Sequence, residues 1–222
     1  QKNKSDYDMY AAIVEQASVQ GKRILAVAHK DTDKSDIDLQ DVSEMIFCGL
    51  VVMEDKVRAT AADSVYQAQE AGVDVIMITG DAANTARSIA HQAGIVQDTE
   101  AAVIYGEDLK TYEDEELYAR IASGEFRIFS RVSPEHKLRL VDIFTTRGRT
   151  VAMTGDGVND SPAIKQADIG ISMGISGSDV TKEAADMILL NDDFSSIVDG
   201  VEEGRKIFDN LKKTIVYLLT SN

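Results

Sequence analysis

The sequence has a single cysteine and no hydrophobic stretch long enough to cross a bilayer. Cys48 cannot form a disulfide within the chain, and one cysteine offers no cysteine metal cluster. It lies in the apolar run MIFCGLVV (45–52), so we expect it to be a small buried side chain. These absences exclude a disulfide-stapled domain and a complete membrane-spanning helix within the printed residues.

Basic residues are also scarce, because 23 lysines and arginines stand against 38 aspartates and glutamates, for a net charge of -15. Such a chain is repelled by nucleic-acid phosphates, so we expect no nucleic-acid partner. The acidic balance suits a protein that binds a cation, although a solvated acidic surface is the commoner explanation. With 222 residues, 44% of them hydrophobic, the chain can bury one sizeable core.

Short apolar runs alternate with segments of helical period after Met45. Runs buried on both faces and separated by helices are typical of parallel strands joined by right-handed crossovers. We therefore predict an α/β fold with a doubly wound, mostly parallel sheet. The predicted strands lie at 45–52, 73–78, 101–105, 126–130, 150–153, 168–173 and 186–190, and the predicted helices at 58–71, 84–93, 114–123, 134–146 and 160–166.

The two ends of the chain differ from this middle part. Residues 1–44 combine one helix (10–18), one strand (22–30) and a charged linker, which indicates the tail of a separate domain. Apolar residues recur at helical spacing from Phe194 to Leu218, and we expect one long helix there. Because the chain begins with Gln1 and becomes apolar as it stops, we expect both ends to be cuts in a longer protein.

Ligands of doubly wound sheets bind beyond the carboxyl ends of the strands. The segments at those positions are TGD (79–81), RVSPEHK (131–137) and TGDGVND (154–160). We therefore expect these three loops to form the functional site.

The loop TGDGVND concentrates carboxylates where a strand ends. Asp156 and Asp160 would repel each other unless a cation lies between them, and hard oxygen ligands suit Mg²⁺. Gly155 and Gly157 allow close approach of the main chain, and Asn159 can orient Asp160 or phosphoryl oxygens. The alternative is an Asp-Gly turn in which Asp160 caps the next helix.

Two further segments offer groups for an anion. Thr79 has a hydroxyl, and Gly80 and Asp81 offer main-chain amides near a helix start. Lys137 falls in the first turn of a helix that Ser133 caps, where a positive charge opposes the helix dipole, so a phosphate counter-charge is a natural role. Taken singly, the first segment is an ordinary turn and the second an exposed lysine.

Together these segments resemble the P-type cation-transporting ATPases, whose phosphorylation domain has the haloacid-dehalogenase fold. The resemblance covers nearly the whole chain and rests on MITGD (77–81), RVSPEHK (131–137), TGDGVNDSPAIKQADIGISMG (154–174) and the segment 178–222. Within the family the sequence is most similar to the type II pumps for calcium, for sodium and potassium, or for protons and potassium.

The resemblance implies roles for these residues. Asp156 would be a ligand of Mg²⁺, supported by Asp160 and Asn159. The phosphoryl group of ATP would be held by the remaining residues of the site, namely Thr79, Gly80, Asp81 and Lys137.

Three further residues would lie near the nucleotide. Arg23 would approach the phosphates of ATP, although an isolated arginine is more often a surface residue. Asp55 and Arg58 stand where the family has Asp-Pro-Pro-Arg. Lys56 and Val57 replace the two prolines, so the rigid turn of the family is not expected here.

The nucleophile of the family is missing. It is the aspartate of an Asp-Lys-Thr-Gly-Thr motif, and neither Asp33-Lys34-Ser35 nor Asp55-Lys56-Val57 continues in that way. We expect residues 1–44 to be the tail of the nucleotide-binding domain, 45–200 most of the phosphorylation domain, and 201–222 a stalk helix leading into a membrane helix.

The intact protein is then expected to be a multi-pass membrane pump with this segment on the cytoplasmic side. Its partners would be the rest of the pump and a transported cation, with Ca²⁺ the first choice and Na⁺ or K⁺ the second. The alternatives are a soluble phosphatase of the same fold, which needs its own Asp-x-Asp, and a non-catalytic module that binds Mg²⁺ or a nucleotide.

Overall fold

The computed structural model of the protein describes residues 4–19, 21–33, 36, 38–54 and 56–220. They fall into two compact units, residues 1–56 and residues 57–222. The strand at 46–53 belongs to the first unit because it pairs with the strand at 23–29, and the predicted domain division at residue 44 stays a prediction.

The first unit contains α1 (Lys4–Val19), β1 (Arg23–His29), a short 3-10 turn (Leu39–Asp41) and β2 (Ile46–Met53). The two strands are antiparallel, with Arg23 opposite Met53. Tyr10 of α1 packs edge-on against Phe47 at 4.8 Å between ring centroids. Cys48 is exposed, so its predicted burial is wrong: along β2 its neighbours Phe47 and Gly49 are partly buried, and the side chain of Cys48 points to the opposite side of the strand.

The second unit has the predicted α/β architecture, and all of its strand pairs are parallel. Hydrogen bonds divide the strands into two sheets of three, with the orders β3-β5-β4 and β6-β7-β8. The elements are α2 (Ala61–Glu70), β3 (Met77–Ile78), α3 (Ala83–Gln92), β4 (Val103–Tyr105), α4 (Asp114–Ala122), β5 (Ile128–Ser130), α5 (Pro134–Thr145), β6 (Ala152–Gly155), α6 (Ser161–Gln166), β7 (Ile169–Met173), α7 (Asp179–Ala184), β8 (Met187–Leu189) and α8 (Ser195–Thr220), with 3-10 turns at Gly106–Thr111 and Val158–Asp160.

Strand β5 is buried on both faces, as its continuous apolar sequence predicts. Adjacent residues of a strand point to opposite faces. Accordingly, Ile128 packs with Ala86 and Ala90 of α3, whereas Phe129 belongs to the main core cluster. That cluster is formed by Ile104, Leu109, Leu117, Ile121, Phe126, Phe129, Val132, Leu140 and Ile143.

Helix α5 contributes to two hydrophobic clusters. Leu140 and Ile143 pack in the main core beside the first sheet. Val141 instead packs with Met153 of β6 and with Ile164 of α6. The middle of α5 therefore packs against the hydrophobic residues of both clusters.

The long C-terminal helix α8 is confirmed, and it runs from Ser195 to Thr220. Arg205 donates to the carbonyl of Ala71 at 2.7 Å, which ties the helix to the end of α2. Beyond this point its apolar side chains, including Phe208 and Leu219, are exposed. Among the described helices, none is long and apolar enough to cross a membrane.

Candidate active site

The first loop of the predicted site follows β3 and folds back on itself. The Thr79 hydroxyl donates to Oδ2 of Asp81 at 2.9 Å and accepts from the amide of Asp81 at 3.1 Å. Gly80 is exposed, with open space where a side chain would begin. The Thr79 hydroxyl is therefore already engaged, and the groups facing outward belong to the main chain around Gly80.

The second loop is hydrogen-bonded to the first. The amide of Arg131 donates to the carbonyl of Asp81, and the amide of Val132 donates to that of Thr79, both at 3.1 Å. Arg131 has a positive φ of 51°, which is uncommon for a side chain of this size. These bonds fix the entry to α5 relative to the first loop.

Helix α5 begins with the predicted cap. The Ser133 side chain accepts from the amide of His136 at 3.4 Å, and the His136 ring accepts from the amide of Ser133. Pro134 occupies the first turn, where its missing N–H costs nothing. This cap places Lys137 in the same turn, at the end of the helix where the dipole disfavours a positive charge.

Lys137 reaches the third loop and pairs with Asp160. Its ammonium group contacts Oδ1 of Asp160, and the two side chains are only 14% and 9% exposed. The other carboxylate oxygen, Oδ2, accepts from the amide of Gly157 at 3.2 Å. Asp160 stands at the N-cap position of α6 but makes no side-chain hydrogen bond to that helix, and its carboxylate instead accepts from the amide that begins the 3-10 turn Val158–Asp160. A buried carboxylate held in this way is already compensated by one cation.

Gly155 makes this arrangement possible. A Cβ at this position would overlap the Cβ of Asp160 and lie 2.7 Å from its Cγ. The φ angle of Gly155 is not in the left-handed region, so the requirement is for space rather than for backbone freedom. Gly157 is less constrained, since a Cβ there would be 3.7 Å from Asp160 Oδ2.

Asp156 and Asn159 are exposed at the mouth of the same loop. The carbonyl of Asp156 points into the fold, where it accepts from the amide of Ser178 at 2.9 Å and from the Thr181 hydroxyl at 3.3 Å. These two donors could not be predicted, because a serine and a threonine in a short polar segment carry no periodic signal.

The donor set fits Mg²⁺ rather than a metal that needs a protein cage. No group of three His, Cys, Asp or Glu side chains that could hold a metal occurs in the part of the chain that is described. Mg²⁺ needs fewer protein ligands, since it retains waters and shares its shell with phosphate. The loop has one exposed residue with a carboxylate, Asp156, four positions before Asp160, whose carboxylate is paired with Lys137.

The three predicted nucleotide contacts, Arg23, Asp55 and Arg58, stay predictions. Arg23 is an exposed residue of β1 in the first unit, and Asp55 lies outside the described residues. Arg58 is exposed near the start of α2. The pKa of Asp193 is lowered chiefly by a hydrogen bond from the amide of Ser195, and the charge of Arg58 contributes to the same shift.

Comparison with known proteins agrees with this geometry. Residues 5–168 match the family model described as haloacid dehalogenase-like hydrolase. The chain belongs to this family. The family match includes the first two loops of the site and the TGDGVND loop, and it ends at the start of β7.

The chain is also homologous to ion-transporting ATPases. It is 46% identical over 201 residues to Calcium-transporting ATPase 1 of Bacillus cereus, which covers 90% of this chain and 22% of that protein. It is 44% identical over 235 residues to Potassium-transporting ATPase alpha chain 2 of Homo sapiens, covering 91% and 23%. The chain thus spans less than a quarter of the length of these relatives.

A solved structure extends the similarity to the fold. The crystal structure of a zinc-transporting PIB-type ATPase in the E2.Pi state matches with a TM-score of 0.67 and 25% identity, covering 96% of this chain and 27% of that one. The relatives named here transport different ions, so the homology supports a P-type ATPase domain and leaves the ion open.

Proposed function

We propose that residues 57–200 form most of the phosphorylation domain of a type II P-type ATPase. The observation that carries the proposal is the continuous set of contacts from Thr79 and Asp81, through Arg131 and Val132, to Lys137 and Asp160. Three loops that are far apart in sequence thereby form one site at the carboxyl ends of parallel strands, where such folds bind ligands.

In this proposal Asp156 is the cation ligand, and Asp160 and Asn159 support it. Bound Mg²⁺ would neutralise charge on the phosphoryl oxygens during transfer. The Asp160 carboxylate is bound by Lys137 and by the amide of Gly157, so its position beside the proposed cation would be fixed. Asp156 remains available because its carboxylate is exposed.

The phosphoryl group would be bound between the first loop and Lys137. The Gly80 amide precedes α3 (Ala83–Gln92), and amides before a helix favour an anion. The amides of Thr79 and Asp81 donate to the Phe129 carbonyl and to the Thr79 hydroxyl, so these two residues would support the loop around Gly80. An ammonium group has three N–H donors, so Lys137 can hold Asp160 and still donate to a phosphoryl oxygen. Catalysis in such a site is positioning and charge stabilisation.

The aspartate that receives the phosphoryl group would come from residues outside the printed sequence. Strands β3 and β6 each lie at the end of a three-stranded sheet, and each pairs on one side only within the described residues. We propose that a further strand carrying the Asp-Lys-Thr-Gly-Thr aspartate pairs there. Its phosphorylation by ATP and the later hydrolysis of the aspartyl phosphate would drive ion movement.

For the intact protein we propose a multi-pass membrane pump with this domain on the cytoplasmic side. Residues 1–44, with Arg23, would end the nucleotide-binding domain, and Asp55 and Arg58 would lie near the nucleotide. Residues 201–222 would lead towards the membrane. We propose Ca²⁺ as the transported ion and Na⁺ or K⁺ as the second choice, since relatives for these ions are 46% and 44% identical.

The cation site is tested by titrating Mn²⁺, which shares the oxygen-ligand preference of Mg²⁺, into the isotope-labelled chain. We expect NMR signals of the 155–160 amides to broaden first, and Asp156→Asn to weaken this effect about tenfold or more. The exposed Asp199→Asn variant in α8 is the control. Binding that is unchanged in Asp156→Asn would contradict the proposal.

The missing nucleophile gives a second test. The purified chain, incubated with Mg²⁺ and ATP radiolabelled on the γ-phosphate, is expected to acquire no acid-stable label, because no described loop supplies the aspartate. It should also leave p-nitrophenyl phosphate intact. Label on an aspartate of this chain would refute the assignment of the nucleophile to another segment, and turnover of the ester would favour a phosphatase.

A further inference from the structure

The main-chain carbonyl of Asp156 accepts hydrogen bonds from a separate segment of the chain, at the start of α7. It accepts from the amide of Ser178 at 2.9 Å and from the Thr181 hydroxyl at 3.3 Å. A carbonyl oxygen has two lone pairs, so it can accept from both groups. Because the carbonyl of Asp156 is engaged within the fold, the exposed carboxylate is the acceptor that this residue can offer to a cation.

Ser178 and Thr181 are themselves locked together at the start of α7. The Ser178 side chain accepts from the amide of Thr181 at 3.2 Å, and the Thr181 hydroxyl lies 2.7 Å from the Ser178 carbonyl. This hydroxyl has a single hydrogen, and the Ser178 carbonyl at 2.7 Å, the Ser178 hydroxyl at 3.0 Å and the Asp156 carbonyl at 3.3 Å all lie within its reach. Thr181 is fully buried, and burying a hydroxyl is costly unless it is hydrogen-bonded. We call this pair the Ser178–Thr181 cap.

The segment before the cap is fixed from its other side. The Asp192 carboxylate accepts from the amides of Ile175 at 2.9 Å and Ser176 at 2.8 Å. Asp192 is buried and has a positive φ of 53°. The loop from β7 to α7 is consequently held at both ends, which gives the donors on Asp156 a defined position.

We propose that Thr181, acting through the Ser178–Thr181 cap, is a positioning residue that sets the direction of the Asp156 carboxylate towards the cation. The inference rests on the proposed role of Asp156 as a ligand. Groups that orient metal ligands must be locked by their own packing and hydrogen bonds, and the fully buried Thr181 satisfies that condition.

The test uses the 222-residue chain and two readouts. In the metal-free protein, NMR records the carbonyl signal of Asp156 and the amide signal of Gly157, which share one peptide group. In the second readout Mn²⁺ is titrated and the broadening near Asp156 gives its affinity. The variants are Thr181→Val, which replaces the hydroxyl with a methyl group, and Thr181→Ser, which retains it. Thr181→Cys keeps a small side chain with a weak donor and serves if the valine variant does not fold.

We expect Thr181→Val to shift the Asp156–Gly157 signals and to weaken Mn²⁺ binding roughly tenfold, at the low end of effects for residues that orient metal ligands. Thr181→Ser should bind within about twofold of the original chain, and Thr181→Cys should fall between. The matched control is Thr145→Val, since the Thr145 hydroxyl donates to the Val141 carbonyl within α5, away from this loop.

The outcomes separate the two proposals. If Asp156→Asn weakens Mn²⁺ binding but both Thr181→Val and Thr181→Cys bind normally, the positioning inference is wrong while the cation site stands. If the Thr181 variants shift the Asp156–Gly157 signals but the original chain does not bind Mn²⁺ at this loop, the proposed cation site fails. Equal effects of Thr181→Val and Thr145→Val would also overturn the positioning role.

Discussion

The same three residues, Thr-Gly-Asp, occur at the ends of two strands and are used in opposite ways. At 79–81 the glycine is open to solvent and the aspartate side chain is bound by its own threonine. At 154–156 the glycine is pressed against Asp160, and the aspartate side chain is exposed. In the proposed site, the first copy would offer main-chain groups to a ligand and the second would offer a carboxylate.

The difference comes from the segments that donate hydrogen bonds to the main-chain carbonyls of each copy. The carbonyl of Thr79 accepts from the amide of Val132, and that of Asp81 accepts from the amide of Arg131, just before α5. The carbonyl of Asp156 instead accepts from the Ser178–Thr181 cap at the start of α7. A short motif therefore gains its chemistry from the segment that packs against it, and identical letters do not guarantee identical roles.

The largest effect is expected from the Lys137–Asp160 charge pair, which joins α5 to the loop that follows the second Thr-Gly-Asp. Lys137→Met leaves the Asp160 carboxylate buried with only the Gly157 amide, and breaking a buried pair in this way should lower the free energy of unfolding by about 3 kcal/mol. Urea denaturation measures the change. Lys165→Met removes an exposed lysine from α6 and should change it by less than about 0.5 kcal/mol.

A double variant checks the cause. If the penalty comes from an uncompensated charge, Lys137→Met with Asp160→Asn should be no less stable than Lys137→Met alone, because the stranded carboxylate is gone. Simple addition of the two single effects would argue that Lys137 contributes through packing instead.

The two glycines provide the direct comparison. Gly155→Ala forces a methyl group against Asp160, and overpacking of this kind should cost about 2 kcal/mol. Gly80→Ala meets nothing within 4 Å, so its change should stay within about 0.5 kcal/mol. Neither glycine has a positive φ, so the pair isolates the effect of space. Similar losses in urea denaturation would mean that the two copies are equally crowded.

The sequence was sufficient for much of this site. The alternation of apolar runs and helices predicted the parallel strands, and the carboxyl-end rule selected the three loops that the structure joins. It also predicted the Ser133 cap that places Lys137 in the first turn of α5. These features depend on local patterns or on a general property of the fold.

Features that depend on tertiary partners were not predicted. The apolar run at 45–52 indicated a strand but could not reveal that it pairs antiparallel with β1. Helix α7 has only six residues, too few for a periodic signal, so the burial of Thr181 was hidden. Lys137 and Asp160 are 23 positions apart in the sequence, and no local pattern around either residue indicates that the two side chains pair.

The smallest effect is expected for the dependence of stability on pH that Asp192 causes, through its hydrogen bonds to the loop between β7 and α7. The amide of Ile175, followed by that of Ser176, lowers the pKa of Asp192 from 3.8 to about 2. A carboxyl whose pKa is lower in the folded state stabilises the fold above its unfolded pKa, and this contribution is lost as the pH falls. Asp192→Asn keeps a residue that tolerates the positive φ. Its stability deficit should therefore be constant above about pH 4 and shrink as the pH approaches 2. Thermal unfolding across this range, with Asp199→Asn as the control, measures the difference. A deficit that does not change with pH would mean that the charge of Asp192 does not hold this loop.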